Sequence, residues 1–215
     1  MLIKSIYMKY FIFGRGRLVN FAIDHLLRNN LKNIFVIPEV PEPKWMDSVF
    51  EHCKKRNIKV IDFKDIYKYM DRNSVGYSIY FSKIFKQDLI SSFNYLVNLH
   101  NGPLPKYRGV NPVNWALKNN ETSHGVTLHH ISEGVDSGDI IDQEFFNINQ
   151  KLEVIDLYNM CLDAGEKILA RSMLEIDKII PKKQNEEIAT MYTKKDFYKL
   201  GERKYFTIEE STNYQ

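Results

Sequence analysis

The chain has 215 residues, 44 % of them hydrophobic, enough for one ordinary domain or one domain with a short appendage. A chain of this length buries roughly 70 % of the surface its unfolded state exposes, so disulfide or metal staples are not needed. Thirty basic against 27 acidic residues leave a net charge of +3, which suits an anionic substrate but gives no clustered basic face for nucleic acid.

No apolar run approaches the ~20 residues of a membrane span. Lys4 and Lys9 interrupt the apolar N-terminal stretch, and no small-residue cleavage site follows, so no signal peptide is expected. A cytoplasmic protein is the expectation. Cys53 and Cys161 lie far apart without metal spacing, and are expected to be reduced and buried.

Strands and helices alternate through the first half. A strand is expected over Lys9 to Phe13, and Gly14 and Gly16 then turn the chain into a helix ending near Arg28. A second strand fits Asn33 to Ile37, stopped by Pro38, and the proline-rich stretch to Lys44 is loop. Helix is expected from Trp45 to Arg56, strand at Lys59 to Ile61, and helix from Lys64 to Met70. Strands at Val75 to Phe81 and Tyr95 to Leu99 flank a short helix at Gln87 to Ser91. This alternation predicts an α/β fold: a Rossmann-like, mostly parallel sheet with right-handed crossover helices.

The second half reads differently. His100 to Gly109 is loop, and Pro112 opens a helix to Lys118 that Asn111 could cap. Val126 to His130 and Asp139 to Phe146 alternate as two strands around a turn at Glu133 to Gly138. Glu153 to Ile179 has a helical pattern about 40 Å long at 1.5 Å per residue. A basic stretch from Lys194 to Lys204 includes Arg203 and Glu202. The expected division is a core over residues 1–180 and a short C-terminal extension over 181–215.

Gly14-Arg15-Gly16 after a strand looks like the start of a dinucleotide site, but Val19 stands where a third glycine or alanine belongs. Glu39 is late for a ribose ligand and sits among prolines. A tight βα turn is the better reading, with a phosphate or sugar near Arg15 or Arg17 as the other possibility.

The richest segment begins Asn98-Leu99-His100-Asn101-Gly102-Pro103-Leu104-Pro105 and continues through Trp115. It leaves the carboxyl end of an expected parallel strand, where open α/β sheets bind ligands. Asn98 and His100 are two apart and share one side of an extended chain. Asp136 lies between Gly134 and Gly138. Such a trio can promote acyl transfer without a protein nucleophile. Asn98 can donate to a developing oxyanion. His100 can do the same if charged, or handle a proton if neutral. Asp136 can orient His100 and accept, through water, a proton from an attacking amine. Taken singly, a histidine at a strand end is ordinarily core or polar surface, and an aspartate between glycines is ordinarily a turn residue.

Three segments recurring in order carry a resemblance: Asn98 to Gly109, Gly125-Val126-Thr127-Leu128-His129, and Gly134-Val135-Asp136-Ser137-Gly138-Asp139-Ile140. Over roughly Tyr10 to Ile179 the chain resembles the 10-formyltetrahydrofolate-dependent formyltransferases. The resemblance implies catalytic Asn98, His100 and Asp136, and N10-formyltetrahydrofolate as co-substrate. It implies pterin contacts, largely through backbone, at Phe81, Ser82, Lys83 and Ile84 and at Ile131, Glu133 and Gly134. His129 would line the site, and no metal is implied.

Within the family, His100 to Trp115 looks most like the nucleotide-sugar N-formyltransferases. These formylate an amino deoxysugar on a dTDP, GDP or UDP carrier for O-antigen or a related glycan. Tyr107, Arg108, Asn111, Trp115, Tyr192 and Lys194 are the corresponding substrate candidates. Tyr107 and Arg108 could anchor the substrate or the loop, Asn111 could reach the sugar or cap its helix, and Tyr192 could stack on a base or pack in a core. The 35 residues after Ile180 are too few for the C-terminal barrel of methionyl-tRNA formyltransferases. That enzyme and glycinamide ribonucleotide formyltransferase are the alternatives, and a non-enzymatic binding module is a more distant one. The expected partners are a nucleotide-linked amino sugar and a second copy of the chain, with no nucleic acid and no membrane. The nucleotide, the sugar and its C3 or C4 amine are not readable from the residues.

Overall fold

The computed structural model describes residues 8–149 and 151–201. They form two compact units, divided between Leu99 and His100.

The first unit is built on five parallel strands. In chain order it contains β1 (Lys9–Gly14), α1 (Arg17–Arg28), β2 (Ile34–Pro38), α2 (Val49–Arg56), β3 (Lys59–Val60), a 3₁₀ turn (Phe63–Lys68), β4 (Ser74–Ile79), α3 (Gln87–Ser92) and β5 (Tyr95–His100). The strand order is β3-β2-β1-β4-β5, and every neighbouring pair is parallel. The chain thus has the expected α/β fold. Central β1 carries Phe11, Ile12 and Phe13, all fully buried, as a parallel strand covered on both faces requires. Helix α1 buries Leu18, Val19, Ala22, Ile23 and Leu26, one stripe at helical spacing. Phe13 meets Phe63, Phe81, Phe85 and Phe93 with ring centroids 5.0–6.3 Å apart, which closes the carboxyl end of the sheet with rings.

Two helices expected here begin or form differently. Helix α2 starts at Val49, not Trp45, because its start is set by capping. The Ser48 hydroxyl accepts from the Glu51 N–H, while the Glu42 carboxylate accepts from the Ser48 hydroxyl and the Val49 N–H. The segment expected as a helix from Lys64 is a 3₁₀ turn over Phe63–Lys68. It buries only Ile66, too little apolar stripe to support an α-helix.

The second unit contains β6 (Arg108–Gly109), α4 (Pro112–Lys118), β7 (Ser123–His130), β8 (Ile140–Asn147), α5 (Val154–Ser172), a 3₁₀ turn (Glu186–Ile188), β9 (Met191–Tyr192) and a 3₁₀ segment (Lys194–Leu200). Strands β7 and β8 pair antiparallel, with an irregularity at Leu128/His129 that re-aims the end of β7. Helix α5 ends at Ser172, about 10 Å short of the expected length. Beyond it the amides of Glu175 and Lys178 bond to the carbonyls of Ser172 and Glu175 as successive tight turns. Arg171 and Ser172 are tied to Asp142 on β8, so the last turn of α5 is held by the hairpin. After Ile180 the chain stays on this unit. Lys182 bridges Ile140, and β9 pairs in parallel with β6. Glu202, Arg203 and Lys204 of the expected basic stretch lie outside the described residues.

The glycine turn shows why β1 ends where it does. Gly14 has φ of 129°, and a Cβ there would stand 1.6 Å from the Ile79 carbonyl oxygen. The Glu39 N–H donates to the Gly14 carbonyl, and the Glu39 carboxylate accepts from the Ser82 N–H at 2.8 Å and the Ser82 hydroxyl at 2.6 Å. The acidic residue that a dinucleotide site would use for ribose therefore serves an internal contact. Gly14→Ala is expected to cost about 2–4 kcal/mol, from strained backbone and displaced β4, read as a lower urea midpoint at unchanged m-value.

Candidate active site

The second unit opens on His100, the last residue of β5 and 7 % exposed. The loop after it is pinned from the hairpin by Thr127. Its hydroxyl donates to the Gly102 carbonyl at 2.7 Å and accepts from the Leu104 N–H at 3.1 Å and Gln143 Nε2 at 2.9 Å. One donor and two acceptor positions are thereby used, so Thr127 fixes the loop without an unpaired buried group. The same Gln143 amide donates to the Leu104 carbonyl.

The loop then turns at Tyr107, with φ of 64°, and sends its carbonyl back to His100. His100 Nε2 donates to that oxygen at 2.7 Å. A carbonyl only accepts, so Nε2 carries the proton and Nδ1 is the nitrogen left for chemistry. Nδ1 stands 3.4 Å from Asp136 Oδ2. The Gly109 N–H donates to the same carboxylate oxygen at 2.8 Å. Gly109 needs its φ of 88°, because a Cβ there would lie 2.1 Å from the Tyr192 carbonyl.

A second histidine repeats the pattern. His129, 2 % exposed, has Nδ1 2.8 Å from the His130 carbonyl, to which it donates, and Nε2 3.4 Å from Asp136 Oδ1. Both rings thus have their outer nitrogen locked on a backbone carbonyl and their inner nitrogen facing one carboxylate. Burial holds His100 below the ordinary histidine value, and Asp136 opposes it. Burial pushes the Asp136 carboxyl up, but the positive charge that the two imidazoles carry when protonated, together with the Gly109 N–H, overcomes this and holds it below the usual carboxylate range. With His100 Nε2 and His129 Nδ1 committed to backbone carbonyls, the nitrogens that face Asp136 are the ones open to a further proton. A proton delivered there turns a lone-pair contact into a charge-assisted hydrogen bond, so the site is built to accept one.

The other candidates can be located one by one. Asn98 lies on β5, in register with Ser78 of β4, and strand alternation puts it on the same side of β5 as His100. Phe81 packs with Phe13, Phe63 and Phe85, and Ser82 is bonded to Glu39. Lys83 is exposed with its ammonium 5.3 Å from the Phe63 ring centroid, and Ile84 is 85 % exposed. Ile131 is half-buried, and Glu133 and Gly134 are exposed in the loop that leads to Asp136.

Among the substrate candidates, Tyr107 donates its hydroxyl to Glu121 at 2.6 Å. Burial and Glu121 push that phenol well up. The Arg108 guanidinium bonds Gln184 and Glu186, so it ties the loop to the C-terminal segment. Tyr192 stacks on Trp115, centroids 4.1 Å apart at 14°, and on Tyr107 at 5.8 Å and 15°. Asn111 occupies the N-cap position of α4 with φ of 59° but makes no side-chain cap bond, because the left-handed backbone does not present its oxygen to the first-turn amides. Lys194 is exposed at the start of the last 3₁₀ segment. His124 is fully buried and donates Nε2 to the Asn101 carbonyl at 2.9 Å; burial lowers its pKa to about 4.

Thr127, Gln143 and Gln184 hold the site together yet were not singled out from sequence. For Thr127 and Gln143 a signal existed, as polar residues facing each other across a hairpin. Gln184 had none. The set offers a buried histidine against a largely buried carboxylate, and Asn101 and Asn111 each bury a carboxamide oxygen that meets no donor among the described residues.

A sheet of parallel strands linked by helices, with a buried His–Asp pair after its last strand, defines an α/β protein equipped for proton transfer. The Formyl transferase profile matches residues 8–173, and the chain belongs to that family, whose typical donor is formyl-tetrahydrofolate. It is a formyltransferase-family enzyme using that donor. The N-formyltransferase from Helicobacter canadensis, solved with folinic acid and dTDP-3-aminofucose, is 30 % identical, with a TM-score of 0.82 over 88 % of this chain and 72 % of that one. WlaRD, a sugar 3N-formyl transferase solved in the presence of dTDP and 5-N-formyl-THF, is also 30 % identical, with a TM-score of 0.82 over 88 % of this chain and 70 % of that one. The methionyl-tRNA formyltransferase of Clostridium tetani is 27 % identical over 87 % of this chain. The chain spans 67 % of that relative's length, and 31 % and 37 % of two further curated relatives. No helix among the described residues is long and apolar enough to cross a membrane.

Asp136 has a lowered pKa in the folded state, so its contribution to stability is complete above the unfolded carboxyl value of ~3.9 and is lost as pH falls through the folded value. Asp136→Ala is expected to destabilise the protein by about 1–3 kcal/mol at pH 7. In urea titrations across pH the gap to the parent should close below about pH 4. A gap independent of pH would show that the carboxylate is not held in charged form.

Proposed function

We propose that this protein is a sugar N-formyltransferase. It moves the formyl group of N10-formyltetrahydrofolate to the amine of a nucleotide-linked amino deoxysugar, dTDP- or GDP-linked, for O-antigen or related glycan synthesis. The observation that carries this reading is the 30 % identity, at a TM-score of 0.82, to two N-formyltransferases solved with dTDP or a dTDP-amino sugar. The His100–Asp136 pair supports the chemistry.

The folate co-substrate supplies the formyl carbon. Asn98, on the His100 side of β5, donates to the formyl oxygen as negative charge develops there. His100 Nδ1 and Asp136 receive the proton that the amine loses as it bonds to the formyl carbon, and that proton goes to N10 as the carbon–N10 bond breaks and tetrahydrofolate leaves; Nε2 stays fixed on the Tyr107 carbonyl. His129 closes the other side of the carboxylate. Ile131, Glu133 and Gly134 on the second unit are pterin contacts in this reading, and Phe81, Ser82, Lys83 and Ile84 on the first unit are separate candidates. Asn111 and Lys194 are the acceptor contacts, a carboxamide for the sugar and an ammonium for the diphosphate. Tyr107, Arg108, Trp115 and Tyr192 shape that side by holding the loop and the C-terminal segment together. The protein works in the cytoplasm as a homodimer.

The 27 % identity to a methionyl-tRNA formyltransferase favours a second reading, with charged initiator tRNA as acceptor. One assay separates the two. The protein is incubated with N10-formyltetrahydrofolate and, separately, dTDP-, GDP- and UDP-linked amino sugars, glycinamide ribonucleotide and methionyl initiator tRNA, and released tetrahydrofolate is measured. Release with a nucleotide sugar alone is the expected result, and release only with tRNA or glycinamide ribonucleotide overturns it. With the active sugar, Asn98→Ala is expected to lower kcat about 10²–10³-fold and His100→Ala about 10²–10⁴-fold, with folate binding largely kept. A near-parental rate in either variant refutes that residue's role.

A further inference from the structure

We propose that Gln184, in the segment after α5, is a positioning residue that holds the loop of Asp136 so that its carboxylate faces His100 and His129. This rests on the reading of Asp136 as the proton-accepting carboxylate.

Within the loop the Ser132 and Ser137 hydroxyls meet at 3.0 Å, but neither bonds Asp136 itself. Ser132, Glu133, Gly134 and Val135 are exposed, and Asp136 itself sits at φ of 48°, a left-handed conformation that a non-glycine residue keeps only when its surroundings enforce it. The enforcement comes from Gln184. Its Nε2 donates to the Asp136 carbonyl at 2.8 Å and to the Gly138 carbonyl at 2.7 Å. One amide group with two hydrogens thus bridges two carbonyls two residues apart, which fixes the Asp136–Ser137 and Gly138–Asp139 peptide planes.

The orientation of that amide is itself determined. Gln184 Oε1 accepts from Arg108 Nε at 3.0 Å and Nη2 at 2.7 Å. Exchanging oxygen and nitrogen would set an oxygen against two carbonyls and an amine against a guanidinium. Arg108 is 8 % exposed, and its Nη1 and Nη2 also bond the Glu186 carboxylate at 2.9 and 2.6 Å. The next residue, Gly109, gives its N–H to Asp136 Oδ2. Asp136 is therefore held at both ends by one connected strip. Gly109 takes the carboxylate and Gln184 takes the backbone, and Arg108 joins the two. A displacement of about 1 Å at a reacting group can cost 10²-fold in rate, so a residue that only holds a loop can govern turnover.

The test uses the full chain. Gln184→Ala removes the bridge, Gln184→Glu keeps its shape but sets an oxygen against the two carbonyls, and Arg108→Lys keeps the charge but loses the guanidinium fork. Carboxyl-carbon and imidazole-nitrogen NMR titrations need no substrate. In each variant the Asp136 midpoint is expected to rise by about one pH unit as the carboxylate leaves its partners, while His25, on α1, titrates as in the parent. With N10-formyltetrahydrofolate and the acceptor that releases tetrahydrofolate in the assay above, kcat is expected to fall at least about 10-fold and both KM values to stay within about 3-fold. Asn185→Ala, which removes the cap of the adjacent 3₁₀ turn without touching Asp136, should keep the parental titration. An unmoved Asp136 titration in all three variants overturns the proposal. If Asp136→Asn turns over like the parent, the reading of Asp136 itself fails. If Asp136→Asn is inactive while the Gln184 variants titrate and react like the parent, the positioning role alone fails.

Discussion

The second unit depends on one largely buried carboxylate. Asp136 meets two imidazoles at 3.4 Å and a backbone N–H at 2.8 Å. A buried anion is tolerated only with such company, because the cost of leaving water must be offset by fixed donors and nearby charge. The partners are themselves fixed. Each imidazole is anchored through its outer nitrogen to a main-chain carbonyl, His100 to Tyr107 and His129 to His130. A ring held this way faces the carboxylate with the one nitrogen that a further proton turns into a charged donor, and that makes a structural contact into an acid–base device.

Much of the surrounding structure follows from keeping this group in place. The bulge at Leu128/His129 lets His129 face the carboxylate at the end of a strand that otherwise packs in the core. Thr127 and Gln143 tie the His100 loop to the hairpin, and β9 lies along β6 so closely that Gly109 admits no side chain. The stack of Tyr192 on Trp115 and Tyr107 adds apolar contact to that short pair of strands. The segment after Ile180 is thus part of the unit that carries His100 and Asp136.

The parallel strands were legible because buried strands leave continuous apolar runs such as Phe11 to Phe13, and because helices alternate with them at short spacing. The helix of residues 112–118 was legible from its N-terminal proline. Boundaries were less so. Helix α2 waits for Ser48 and Glu42 to cap it, and α5 stops where Arg171 and Ser172 meet the hairpin. The first set is local but is read only once Glu42 is seen to fold back on Ser48, whereas the second lies about 30 positions away. The site was legible in part. Asn98 and His100 announce themselves by their spacing, whereas the sequence leaves Arg108 open between substrate and loop and Tyr192 between base and core, and their contacts with Gln184, Glu186 and Trp115 are visible only in the structure.

By itself the sequence determined the α/β alternation, the family and the residues able to move a proton, since these depend on composition, period and short motifs. Only the tertiary structure decided which nitrogen of His100 is left for chemistry, that His129 shares its carboxylate, and that Gln184 holds the loop. The physical reason is that a hydrogen bond has direction and reach. A carbonyl can only accept, a glutamine amide is polar at both ends, and residues 48 positions apart acquire a relation only when the fold sets them within 3 Å.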